Sequence, residues 1–298
     1  MTQVLPAPRL RPLPRTVAPL DRESQDSYIE RLAAANRMIP ADLREHVTGP
    51  HPLRPGHLGL PQALAQVSRQ PLDRLLLALP DLRAPELTAR LPPPCRHRPH
   101  PGWKVQPACT LCLAAKGVRY ARHWVPPGTR VCLRHGRWTG SHGQQFDITP
   151  LPQIAQAQRR HHRLILRHGW KPVAQAMDGA SRICWTWWDN RRFTKALDRR
   201  RALLRGPAWS GQQQNLTLAA CAYPDLMALA GLLISPPWRP LPVTGSTRDL
   251  NRFLSEIRAR VAPGYQLEPA ASSDPLLLWI EEERHHRTLS TASPQEDT

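Results

Sequence analysis

Apolar residues recur at helical spacing along most of the chain, and prolines repeatedly interrupt them. Ser24 is a good N-cap, Gln25-Asp26-Ser27 puts an acid in a first turn, and Tyr28, Ile29, Leu32 and Ala33 then share one face that runs out near Asn36. Pro40 opens a second short helix with Leu43 and Val47 inward, ended by Gly49-Pro50. Pro61 to Val67 predicts a third helix and Ser68-Arg69-Gln70 a turn. Pro71 then opens a fourth helix, with Leu72, Leu75, Leu76 and Leu79 at i, i+3, i+4 and i+7. Helix, tight turn, helix is the outline of a helix-turn-helix. Only Asp73 and Arg74 offer polar side chains to base edges there, so a packing scaffold or a protein-binding surface is the competing reading.

Beyond Pro150-Leu151-Pro152 the pattern predicts helices at 153–168, 172–189 and 191–205. A break at Gly206-Pro207 and Ser210–Asn215 follows. The last helices are expected at Leu216–Leu233, interrupted at Pro224, then Thr247–Val261 and Pro275–Arg287. The prediction is a mainly α protein, and 34 prolines in 298 residues disfavour long sheets or coiled coils.

Charge adds a functional direction. Residues 96–205 hold 22 Lys and Arg against four acids, Asp147, Asp178, Asp189 and Asp198, which equals the whole net charge of +18. The remainder, with 19 of each sign, is neutral. Only four of the 41 bases are Lys, the mark of a GC-rich genome, but that bias does not explain why carboxylates leave one segment. A single-sign field of this kind attracts a polyanion, nucleic acid above all; the plainer alternative is a solvated Arg-rich surface. The longest apolar run, Leu226–Ile234 with its flanks, is expected to fall short of the ~18 residues of a membrane span. Pro6, Pro8, Pro12 and Pro14 break any signal-peptide core. Six cysteines are too sparse for a disulfide scaffold of this length, so the expected compartment is reducing cytosol.

The cysteines carry the strongest chemical signal. Cys109-Thr-Leu-Cys112 is followed after 19 residues by Cys132-Leu-Arg-His135, the spacing of a structural zinc ribbon. Each knuckle bites one edge of a metal, and three thiolates with one imidazole complete a tetrahedron for one Zn²⁺ with no open position for a substrate water. Gly117 and Gly136 follow the knuckles and suit tight turns. A redox Cys-x-x-Cys is the rival reading and lacks a neighbouring βαβ pattern. Pro107–Cys112 has a zinc-deaminase flavour, but that chemistry needs a His-x-Glu, and no glutamate occurs between Glu86 and Glu256. Scattered aspartates do not make a two-metal nuclease either. No enzyme activity is expected. Cys95, Cys184 and Cys221 lack ligand spacing, the latter two reading as core residues.

The resulting organisation is an extended lead-in at 1–20, an N-terminal helical domain with the helix-turn-helix-like unit at 21–90, and a zinc-ribbon region at 91–149. A basic helical region at 150–206, a C-terminal helical region at 207–287 and a disordered tail at 288–298 complete it.

Two stretches together resemble the TniQ family. Pro14–Met38 resembles its Pro-rich opening, Glu-Ser, and Ser-Tyr/Trp-x-x-Arg-Leu-Ala-x-x-Asn helix. Cys109–Trp138 resembles its zinc finger, with a central Trp and a closing Val-Cys-x-x-His. The likeness covers roughly residues 13–140, and its order and spacing agree with the family. It implies that Cys109, Cys112, Cys132 and His135 are structural zinc ligands and that Ser27, Tyr28, Arg31, Leu32 and Asn36 are signature positions. It also implies a non-catalytic accessory protein of Tn7-like transposons, selecting target DNA and passing that choice to an AAA+ ATPase regulator. Thr110 stands where the family usually has Pro, and the Arg/Trp-rich region beyond residue 150 is not part of the motif, so a stand-alone relative is the variant reading. A zinc-containing DNA-binding transcription regulator is the alternative function, and a metal-dependent enzyme on nucleic acid a third.

For the nucleic-acid surface, Arg159, Arg160, Arg163 and Arg167 lie on helix 153–168, with Arg160, Arg163 and Arg167 on one face opposite Ile154, Leu164 and Ile165. An anionic membrane is the alternative target, disfavoured by the thin apolar side. Arg191, Arg192, Arg199 and Arg200 extend the candidate set. Trp185, Trp187 and Trp188 read as core, with stacking on unpaired bases as the alternative.

Overall fold

The computed structural model describes residues 10–48, 59–88, 91, 102–140, 144–204, 211–266 and 274–292. They divide between two compact units, one within Met1–Pro127 and Thr139–Gln145, the other within Gly128–Trp138 and Phe146–Thr298. The protein is mainly helical, as the apolar periodicity predicts.

The first unit starts with residues that were expected only to lead in. Leu10 and Leu13 are buried in its core, and the Leu13 N–H donates to the Val67 carbonyl. Helix α1 (Gln25–Ala35) is capped by Ser24, whose side chain accepts from the Ser27 N–H, and it buries Tyr28, Ile29, Leu32 and Ala33 completely. Helix α2 (Pro40–Thr48) buries Leu43 and Val47. The expected Gly49-Pro50 stop lies outside the described residues. Helices α3 (Leu60–Ser68) and α4 (Leu72–Ala78) flank a tight turn in which Arg69 adopts a left-handed φ of 53°. Leu75, Leu76 and Leu79 point inward, while Asp73 and Arg74 face solvent. A short helix α5 (Pro85–Thr88) follows. Strands β1 (Lys104–Pro107) and β2 (Arg122–Val125) pair antiparallel around helix α6 (Thr110–Ala114).

The second unit begins with an antiparallel three-stranded sheet, β3 (Val131–Cys132), β4 (Arg137–Trp138) and β5 (Phe146–Asp147). Helices α7 (Pro152–His168), α8 (Trp170–Asp189), α9 (Lys195–Leu204), α10 (Gly211–Ile234), α11 (Thr247–Arg260) and α12 (Pro275–Ala292) follow. Their common core holds Trp138, Trp187, Trp188, Tyr223, Phe253, Tyr265 and Trp279 among aliphatic residues. The Trp187 ring meets Phe193 and Tyr265 edge-on or tilted, both at 5.3 Å between centroids.

Three expectations are corrected here. Helix α10 is not interrupted at Pro224 but runs through it. The missing N–H leaves one i→i−4 bond unmade, and burial of Tyr223, Leu226, Met227 and Leu229 around it offsets the loss. Within the same helix, Thr217–Ile234 reaches a mean hydropathy of 1.6 over 18 residues, enough by length and composition to cross a membrane; 78% of it is buried, which is the character of a core helix. The last helix continues past residue 287 to Ala292, so the first part of the expected tail is helical; residues 293–298 lie outside the described residues.

Candidate functional site

The first metal knuckle is built by α6. Cys109 is its N-cap residue and Cys112 lies in its first turn, so the helical rise brings both thiols to one side. Gln145 clamps this corner: its Oε1 accepts from the Thr110 N–H at 2.9 Å and its Nε2 donates to the Ala108 carbonyl at 2.8 Å. The second knuckle is the β3–β4 turn. Cys132 ends β3, the His135 N–H donates to the Cys132 carbonyl at 3.2 Å, and Gly136 takes the left-handed φ of 57° that closes the turn.

The Sγ atoms of Cys109, Cys112 and Cys132 and a ring nitrogen of His135 all lie within 4.8 Å of one another. Cys132 Sγ and His135 Nδ1 are 3.6 Å apart. A tetrahedral centre with bonds of about 2.3 Å to sulfur and 2.0–2.1 Å to nitrogen gives an edge of about 3.6 Å, so this pair already has the spacing of two ligands on one zinc. The donor set, three soft sulfurs and one imidazole, fits Zn²⁺ and fills four positions.

The signature residues of α1 form a buried polar knot in the first unit. Glu23 has no exposure, yet its carboxylate accepts from the Leu20 N–H and Ser27 Oγ (3.0 Å each) and from Arg31 Nε and Nη2 (2.7 and 2.8 Å). Ser27 Oγ also accepts from the Arg122 N–H at 2.8 Å, the Ser24 N–H donates to the Arg122 carbonyl, and the Trp124 N–H to Arg22. Tyr28 donates to the Val17 carbonyl, and Asn36 exchanges hydrogen bonds with both backbone groups of Arg15. These residues therefore tie the N-terminal segment and β2 to α1. Sequence reasoning singled out the positions but not Glu23 as their hub; the Glu-Ser ahead of Ser27 was the available signal.

The arginines predicted to meet nucleic acid sort into different classes. Arg159, Arg163, Arg167, Arg191 and Arg199 are exposed. Arg200 is not: it is 8% exposed and ion-paired to the buried Asp225 of α10, so it is corrected from surface contact to core. Burial raises the Asp225 carboxyl and Arg200 opposes that rise. Arg192 is half-buried, 3.4 Å from the buried Asp274 and 5.3 Å from the Phe193 ring. Arg160 is half-buried rather than on an open face shared with Arg163 and Arg167. Trp187 and Trp188 are core residues, and half-buried Trp185 packs edge-on against Trp188 at 5.0 Å. Cys184 and Cys221 are buried thiols; burial pushes Cys221 up to about 11 and raises Cys184 further. Cys95 lies outside the described residues.

A second polar network was missed entirely. Gln158 on α7 has no exposure; its Oε1 accepts from the Arg130 N–H at 2.7 Å and its Nε2 donates to the Gly128 carbonyl at 2.9 Å. His161 Nδ1 lies 2.8 Å from Tyr223 Oη. Gly128 has a φ of 74°, and a β-carbon there would sit 2.4 Å from the His161 ring, so only glycine fits. This network holds the 128–130 turn, just ahead of β3, on α7.

Four Cys/His ligands on two short knuckles, followed by a mainly helical body, define a protein with a candidate structural zinc corner. Residues 14–138, under half of the chain, match the family model TniQ. TniQ is a non-catalytic, transposition-associated DNA-targeting family. No curated protein and no solved structure matches the chain.

Proposed function

We propose that this chain is a non-enzymatic DNA-binding target-selection or adaptor protein that passes target choice to an AAA+ ATPase regulator of transposition. The carrying observation is the match to the TniQ model over residues 14–138, which includes all four Cys/His metal ligands. The exposed arginines Arg159, Arg163, Arg167, Arg191 and Arg199 supply the DNA-facing charge in this reading. Four protein ligands leave the metal no open coordination position, which supports a structural zinc.

The test has two arms. Fluorescence anisotropy of the zinc-loaded chain on a labelled duplex should show log K falling with log salt with a slope of about −4 to −5, for about four to six neutralised phosphates. ATP hydrolysis by an AAA+ regulator of a Tn7-like transposon should rise only when chain and DNA are both present. Duplex binding without any ATPase response, at a locus with no transposase, would replace the adaptor with the transcription-regulator reading.

A further inference from the structure

Arg160 projects from α7 across α10, where Gly231 makes room for it: a β-carbon at 231 would lie 2.9 Å from its Nη2, 3.1 Å from Nε and 3.2 Å from Cζ. Half-buried in this way, its guanidinium has no hydrogen-bond or ion-pair acceptor among the described residues. Its neighbours are cations. Arg260 of α11 and Arg163 of α7 both disfavour its charge, added to the larger penalty of burial. Arg260 and Arg252 also lie over the half-buried Trp238, at 5.8 and 5.3 Å from the ring centroid, so one indole orders two guanidinium groups on this side of α11. Glu256, one turn before Arg260 and paired with it, offsets a single charge.

A protein that draws cations together and sets one of them into a groove without a carboxylate has arranged an anion site. We propose that Arg160, Arg163 and Arg260, flanked by Arg252 on Trp238, form a phosphate-binding site that holds the phosphodiester backbone of DNA. This rests on the DNA-binding reading above and deepens it: the grip on DNA includes α11, outside the stretch of concentrated charge, and Arg160 acts from a fixed seat rather than an open face. Planar, fixed guanidiniums suit paired contacts to phosphate oxygens better than mobile ones.

The experiment uses the zinc-loaded full chain and a labelled duplex in anisotropy salt titrations, with thermal melts confirming that each variant is folded. Arg260→Gln should weaken binding about 5–10-fold at 100 mM salt and flatten the log–log slope by about one. Glu256→Gln, which releases Arg260, should tighten binding about 2–5-fold. Gly231→Ala keeps every charge but displaces the Arg160 guanidinium, and should weaken binding about threefold. Unchanged affinity and slope in folded Arg260→Gln and Glu256→Gln would overturn the site while leaving DNA binding in place; a wild-type chain that binds no duplex would remove the underlying reading as well. Inorganic phosphate at 1 mM and matched ionic strength should not displace the duplex, and displacement would reassign the site to free phosphate.

Discussion

In the N-terminal unit a buried charge, Glu23, accepts four hydrogen bonds from Leu20, Ser27 and Arg31, and Ser27 in turn accepts from the Arg122 N–H of β2. The C-terminal unit instead buries the Arg200–Asp225 pair in an aromatic core of α8, α9 and α10 and leaves Arg159, Arg163, Arg167, Arg191 and Arg199 at its surface. The first unit joins its segments both by apolar burial, as with Leu10 and Leu13, and by this polar network, as suits a domain with a smaller core. The second has a larger apolar core, and Arg159, Arg163, Arg167, Arg191 and Arg199 stand exposed outside it. An arginine in this chain is therefore classified by its acceptor and not by its helix.

The comparison breaks most severely at the metal. Chelation of zinc, or Cys109→Ser, should release about one zinc per chain by colorimetric assay and unfold the knuckles, since structural zinc contributes on the order of 10 kcal/mol of folding free energy. Metal content and solubility unchanged in the variant would remove Cys109 from the ligand set.

Next in size are the buried ion pairs. Arg31→Ala leaves the Glu23 carboxylate buried and uncompensated, and should cost about 3–5 kcal/mol in urea unfolding. Asp225→Ala strands Arg200 and should cost a similar amount, yet Arg200→Met with Asp225→Leu should recover most of it, because that core can accept apolar replacements. The corresponding apolar double change at Glu23 and Arg31 should not recover, since the Leu20 N–H and Ser27 hydroxyl lose their acceptor. Recovery in both units would erase the distinction drawn between them.

His161 sharpens the contrast through pH. Burial first, then His162 and Arg130, depress it to about 4. The unfolded chain takes up this proton near pH 6.5 and the folded chain only near 4, so the contribution of a neutral His161 is fully present above pH 6.5 and is lost as pH falls through that window. The slope is at most about 1.4 kcal/mol per pH unit. Urea unfolding at pH 7 and 4.5 should show this slope in the wild type and its reduction in His161→Gln. An identical pH dependence in the two would place the acid sensitivity elsewhere.

The smallest effect belongs to the exposed arginines. Arg167→Gln should change stability by less than about 0.5 kcal/mol while flattening the salt slope of duplex binding by about one, a dissociation of binding from folding that Arg200→Gln should reverse.

Much of this was legible along the chain. The Ser24 cap and the face of Tyr28, Ile29, Leu32 and Ala33 fixed α1, because a helix repeats within four residues and its signals are local. The metal corner was legible for the same reason: each knuckle is a short turn, and spacing alone puts its two ligands on one edge. What tertiary structure alone decided is where charge and prolines are tolerated. Pro224 sits inside α10 because side chains from other elements bury the helix around it. Arg200 is in the core because an aspartate 25 positions away meets it, and Arg160 is seated because α10 has a glycine at 231. Neither partner is visible from the helix that carries the arginine. Sequence periodicity determines which face of a helix is apolar; only packing determines whether a cation on its margin is paired, wedged or left for a ligand.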